Sequence, residues 1–95
     1  MAPREPRRNA YQRGYTKEWD ARAKAFRQRY PLCGQRPGGK PPVMSLCHDQ
    51  QRVTAATQTD HVRPHRGDKA LFWDEQGNWQ ALCAQCGSRK SKAGL

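Results

Sequence analysis

Apolar residues recur over residues 17–30 at the spacing of one helical face. Trp19, Ala23, Phe26 and Tyr30 are separated by Lys17, Arg22, Lys24, Arg27 and Arg29, a pattern that predicts an amphipathic helix over Lys17–Arg29. Thr16 is a suitable N-cap, Glu18 and Asp20 lie in the first turn where the helix dipole favours acids, and Pro31 discourages helix at Tyr30. The aromatic stripe is read as core packing, and the cations between could meet phosphate or only water. Residues 34–43 (GQRPGGKPPV) are a Gly/Pro-rich loop. Arg52 to Val62 is β-branched and reads as a strand, better defined toward its end. Residues 64–68 are a loop, Ala70 to Trp73 is apolar, Glu75-Gln76-Gly77 is a turn, Asn78 to Leu82 is a second strand, and Ala84 to Lys92 is a short basic helix. The order from Thr59 is therefore strand, loop, strand, helix, an α+β class. Residues 1–15, with four arginines and two prolines, read as a flexible basic arm in front of a single domain spanning 16–95.

Composition narrows the picture. A chain of 95 residues with only 35% hydrophobic residues buries a small core and usually needs disulfides, a metal or oligomerisation as a staple. A net charge of +10 points to a polyanionic partner, nucleic acid being the commonest. No segment approaches the apolar length of a membrane span, and the N-terminus lacks the apolar stretch of a signal peptide. That implies a reducing compartment, where cysteines bind metal more often than they form disulfides.

The chain has four cysteines, Cys33, Cys47, Cys83 and Cys86. The last two form C-x-x-C, which lets both sulfurs reach one metal from a tight turn. Four thiolates close a tetrahedral zinc shell, so such a site is structural. The distant pair has no C-x-x-C of its own, and His48 could stand in for Cys47. Disulfides or free thiols are the alternatives. A redox role for the C-x-x-C lacks the surrounding βαβ pattern.

The stretch from Thr59 to Ser91 (TDHVRPHRGDKALFWDEQGNWQALCAQCGSRKS) places Asp60-His61 at the end of the first strand, Asn78 at the start of the second, and C-x-x-C after it. In order and spacing this resembles the motif of the HNH endonucleases, small phage-type proteins in particular. Segments 31–33 (PLC), 60–68 (DHVRPHRGD), 71–74 (LFWD) and 78–83 (NWQALC) carry the likeness, which extends over most of residues 12–92. The resemblance implies a ββα-metal fold with an N-terminal helix and metal-dependent hydrolysis of DNA phosphodiesters. It makes His61 the general base, an imidazole near neutral pKa being suited to activating water. Asp60 becomes the ligand of Mg²⁺ or another divalent ion, which stabilises the leaving oxyanion. Asn78 braces the hairpin and helps orient the histidine. Strand neighbours point to opposite faces, so a kink or bulge is expected to bring Asp60 and His61 to one site. Arg63, Arg66, Arg89 and Lys90 are candidate phosphate contacts, and His65 is loop or substrate contact. Trp73 and Trp79 read as core. The resemblance also implies a phage protein working beside the packaging terminase in the bacterial cytoplasm.

At one position the sequence departs from that pattern. The family's second metal-binding histidine follows the last cysteine directly, and here Gly87 stands there. The glycine could be a change that traps an inactive form, a natural degeneration, or a vacancy that water or His65 fills. It could also be plain knuckle chemistry, a left-handed turn that favours glycine. Three function classes follow: an impaired metal-dependent DNA endonuclease, a non-catalytic zinc-dependent DNA-binding or packaging-accessory protein, and an RNA-binding zinc ribbon.

Overall fold

The computed structural model describes residues 14–94; most of the expected basic arm lies outside them. The architecture is α+β: five helices and one two-stranded antiparallel sheet among the described residues. Helix α1 (Lys17–Arg29) is followed by a tight 3-10 turn at Pro37–Gly39 and by the one-turn helix α2 (Leu46–Asp49). Strand β1 (Gln58–His61) leads through one-turn helices α3 (Lys69–Phe72) and α4 (Glu75–Asn78) to β2 (Trp79–Leu82) and α5 (Ala84–Lys92).

Helix α1 is bounded as its sequence signals predict: Thr16 Oγ1 accepts from the Trp19 N–H, and Tyr30 closes the other end. It buries Trp19, Ala23 and Phe26. Trp19 lies at the middle of an aromatic cluster, with ring centroids 4.9 Å from those of Phe72, Trp79 and His61 and 5.3 Å from Tyr15. Tyr15, placed in the arm by the sequence reading, thus packs on the core. Trp79 is buried as expected, whereas Trp73 is 38% exposed.

Strand β2 separates two cores. Alternation sends Trp79 and Ala81 to the aromatic cluster and Leu82 to a second cluster built on the four cysteines. Its four residues are all buried because both faces and both edges are covered. One edge pairs with β1 in unbroken register, from Gln58 opposite Leu82 to His61 opposite Trp79. The other edge meets the loop after Cys33: the Gly34 N–H donates to the Ala81 carbonyl at 2.7 Å and the Ala81 N–H to the Gln35 carbonyl at 3.0 Å.

Three expectations are corrected. The strand expected over Arg52 to Val62 contracts to Gln58–His61, with Ala55 in an isolated bridge to Leu32. Its partner offers only four residues, and Val53 is 83% exposed. The apolar run at 70–73 and the turn at 75–77 are both helical turns, each begun by an aspartate: Asp68 Oδ1 accepts from the Ala70 and Leu71 N–H groups, and Asp74 Oδ1 accepts from that of Gly77. Asn78 therefore ends α4 instead of starting β2.

Phe26 is fully buried against Tyr30 and Trp79. Phe26→Ala is expected to cost about 3–5 kcal/mol, a large share of what so small a domain has to spare. Urea unfolding of the metal-loaded protein checks this; a loss below about 1 kcal/mol would show that the aromatic cluster does not carry the fold.

Candidate metal centre and adjoining cleft

The four cysteines come from three places in the chain. Cys33 follows α1, Cys47 lies in α2, and Cys83 and Cys86 bracket the start of α5. All are buried and none is in a disulfide. Their sulfurs lie within 4.8 Å of one another, with Cys47 Sγ at 3.9 Å from both Cys83 Sγ and Cys86 Sγ. A tetrahedron with metal–sulfur bonds of about 2.3 Å puts its sulfurs about 3.8 Å apart. The quartet is therefore close enough to coordinate one metal ion such as zinc, and its soft donors suit that ion. His48 is a surface residue outside the quartet, its side chain 54% exposed.

Protons are unevenly held among these thiols. Burial pushes the Cys33 thiol up to about 12, against a lowering hydrogen bond with Ser45. Burial also raises Cys86, but hydrogen bonds from the Cys47 backbone and the neighbouring thiols outweigh it and bring that thiol down to about 7. The knuckle-type glycine is Gly34, not Gly87. Gly34 follows Cys33 with φ +96°, and a Cβ there would lie 2.8 Å from that of His48. Gly87 lies inside α5 with no positive φ.

At the end of β1 opens a cleft of about 780 Å³ lined by Tyr15, Asp60, His61, His65, Arg66 and Lys90 among others. Asp60 and His61 both reach it although the β1–β2 register is continuous, so the expected bulge is absent. His61 is 7% exposed and its ring stacks on Trp19. Its Nε2 lies 2.9 Å from the Phe72 carbonyl. A carbonyl only accepts, so Nε2 carries the proton and Nδ1 is the acceptor nitrogen of the neutral ring. Trp79 Nε1 donates to the same carbonyl at 2.8 Å, fixing that oxygen in place. Burial lowers the His61 pKa, and the nearby His65 and Lys90 push it the same way; the Phe72 hydrogen bond and Asp60 oppose.

Asn78 is 1% exposed and ties three backbone groups together. Its Oδ1 accepts from the Arg63 N–H, and its Nδ2 donates to the Arg63 and Leu71 carbonyls. It thereby holds the chain leaving β1 against the segment that carries Phe72, which is the partner of His61. Arg63, Arg66 and Arg89 are exposed. Lys90 is not: it is 3% exposed, and its Nζ lies 3.3 Å from Asp60 Oδ2. Its amine is turned inward onto a carboxylate, at the lining of the cleft instead of the open surface.

Gly87 is no vacancy either. It is buried, and the end of the Gln58 side chain lies over its Cα, in the space a Cβ would take. Among the described residues the cysteine quartet is the one convergent group of three or more His, Cys, Asp or Glu ligands; Asp60, His61 and His65 do not form another. The nearest partners of Asp60 Oδ2 are the Lys90 ammonium and the Gln80 amide N–H, a donor set that does not fit a divalent ion. Sequence reasoning missed Gln58, Gln80 and the clamp residue Arg36, whose guanidinium donates to the carbonyls of Pro41, Gly77 and Trp79. Nothing in their spacing announces these contacts.

No protein-family model matches the chain, and neither a curated protein nor a solved structure is significantly similar to it.

Because the folded state disfavours the charged form of His61, its contribution to stability is complete above the unfolded value of about 6.5 and is lost as pH falls below it. NMR titration of the His61 ring should give a midpoint below that of an exposed histidine, and His61→Phe should flatten this part of the stability–pH curve. A midpoint at or above the exposed value would contradict the burial described here.

Proposed function

We propose that the protein is a zinc-stapled DNA-binding protein on the plan of the ββα-metal nucleases, which in this sequence cuts DNA poorly or not at all. The observation that carries the reading is the shared cleft: Asp60 and His61 from the end of β1 and Lys90 from α5 line one hollow, with Arg66 and Lys69 on the same wall. The hairpin followed by a helix, the Asn78 brace and the cysteine quartet support the same plan. His61, held through Nε2, keeps Nδ1 as the acceptor nitrogen that a base for water needs. A catalytic divalent ion would supply Lewis acidity beside it, but Gly87 gives that ion no ligand, and Asp60 is engaged by Lys90. These two contacts favour the non-cutting branch. The quartet is assigned a structural zinc, since four thiolates leave no open position. The net charge of +10 supplies the attraction to DNA. On the phage resemblance, the proposed setting is the bacterial cytoplasm beside the terminase.

Affinity for duplex DNA should fall steeply with salt, the slope of log affinity on log salt being about −0.9 per phosphate neutralised. Supercoiled plasmid should remain largely uncut with Mg²⁺, Mn²⁺ or Ni²⁺. In Gly87→His the new Cβ meets the flexible end of Gln58, which can move aside, and nicking should rise about tenfold or more. Adding His61→Ala should abolish the gain. A wild-type protein that nicks as fast as Gly87→His removes position 87 from the ligand set. A protein that binds structured RNA but not duplex DNA replaces the proposal with the zinc-ribbon alternative.

A further inference from the structure

The surroundings of Asp60 are those of a carboxylate already neutralised by the protein. Its Oδ2 has Lys90 Nζ at 3.3 Å and accepts a hydrogen bond from Gln80 Nε2 at 3.0 Å. The orientation of Gln80 is itself fixed: its Oε1 accepts from the Val43 N–H at 2.8 Å and its Nε2 donates to the Val43 carbonyl at 3.1 Å. Turning the amide to offer oxygen to a cation would set two carbonyl oxygens against each other and leave the Val43 N–H without its acceptor. The immediate neighbours of the Asp60 oxygen are thus donors, an ammonium and an amide. A divalent ion of the Mg²⁺ class asks for oxygen acceptors.

We infer that Lys90 is a tethered cation that takes the divalent-ion position at Asp60, so that the positive charge of this cleft is carried by the chain itself. The lysine comes from the third residue after Gly87, on the inward face of α5, and its side chain is only 4% exposed. A competing ion must part a buried ammonium from the Asp60 carboxylate, which is costly. In return it gains one carboxylate and no second protein ligand, because Gln58 covers Gly87. Mg²⁺ bound through a single carboxylate keeps most of its water and depends on substrate phosphates for the rest. The ammonium is the better occupant on each count. That the anion drawn to it is a DNA phosphate rests on the proposed function; the exclusion of divalent ions does not.

The test is a Mn²⁺ titration of the isotope-labelled, zinc-loaded full chain, wild type and Lys90→Met, read as paramagnetic broadening in NMR spectra. In the variant, broadening should centre on Asp60, His61 and Gln80 and begin at a Mn²⁺ concentration about tenfold or more below any seen there in the wild type. Equal broadening in both proteins overturns the inference, as does a folded variant that gains none. Should Lys90→Met fail to fold, the wild type decides alone. Lys90 ammonium protons that remain visible in millimolar Mg²⁺, with no selective broadening at Asp60 by Mn²⁺, support the tethered cation; their loss on adding Mg²⁺, or selective broadening at Asp60, overturns it. Failure of DNA binding leaves this result untouched, so the two readings fail separately.

Discussion

Everything in this fold hangs on bringing four buried thiols within 4.8 Å of one another. The chain between α1 and β1 contains one 3-10 turn and one helical turn and no long apolar stretch. Left to hydrophobic burial it has too little to fold with. Cys33 near its start and Cys47 past its middle come together with Cys83 and Cys86, and Ser45 Oγ, 3.3 Å from Cys33 Sγ, helps set the turn between them. A thiolate-bound ion would convert these loops into a wall of the structure, and its free energy of binding would become free energy of folding. Burial favours the protonated Cys33 thiol, so an ion binding there would have to displace that proton to solvent.

From that anchor the rest follows in sequence. The segment after Cys33 is laid along the free edge of β2, which the β1 pairing alone would leave open. A strand with both edges and both faces covered can be wholly buried, and β2 is. Its Trp79 then closes the aromatic cluster under α1 and fixes the Phe72 carbonyl that holds His61. The cleft is thus the far end of a chain of contacts that starts at the cysteines. The Asn78 brace ties that end down a second time.

What could be read from the sequence was whatever repeats or is chemically singular. The Trp19–Ala23–Phe26–Tyr30 spacing and the Thr16 cap define α1 without any partner, and the C-x-x-C marks the start of α5. The cysteine quartet was legible because few other arrangements suit four thiols in a chain with so small a core. Strand length was not, because β-branched residues favour a strand only where an edge is offered, and β2 offers four positions. The turns α3 and α4 hid behind short apolar and polar runs, although Asp68 and Asp74 were present as caps. Position 87 looked empty because a glycine in a pattern shows what is missing and not what has moved in, here Gln58 from β1. Lys90 looked like a surface cation because helix α5 is basic throughout its last turn, and only the packing of α5 on β1 turns this one lysine inward.

The most direct measurement on the anchor combines X-ray absorption at the zinc edge of the purified protein with circular dichroism during chelation. The expected result is one zinc per chain with four sulfur neighbours at about 2.3 Å. Stripping the ion should then remove the aromatic near-ultraviolet signal of the Trp19–Trp79 cluster in the same step. A metal-free protein that keeps that signal and unfolds at the same temperature as the metal-loaded one would contradict the claim that the fold depends on the thiol site.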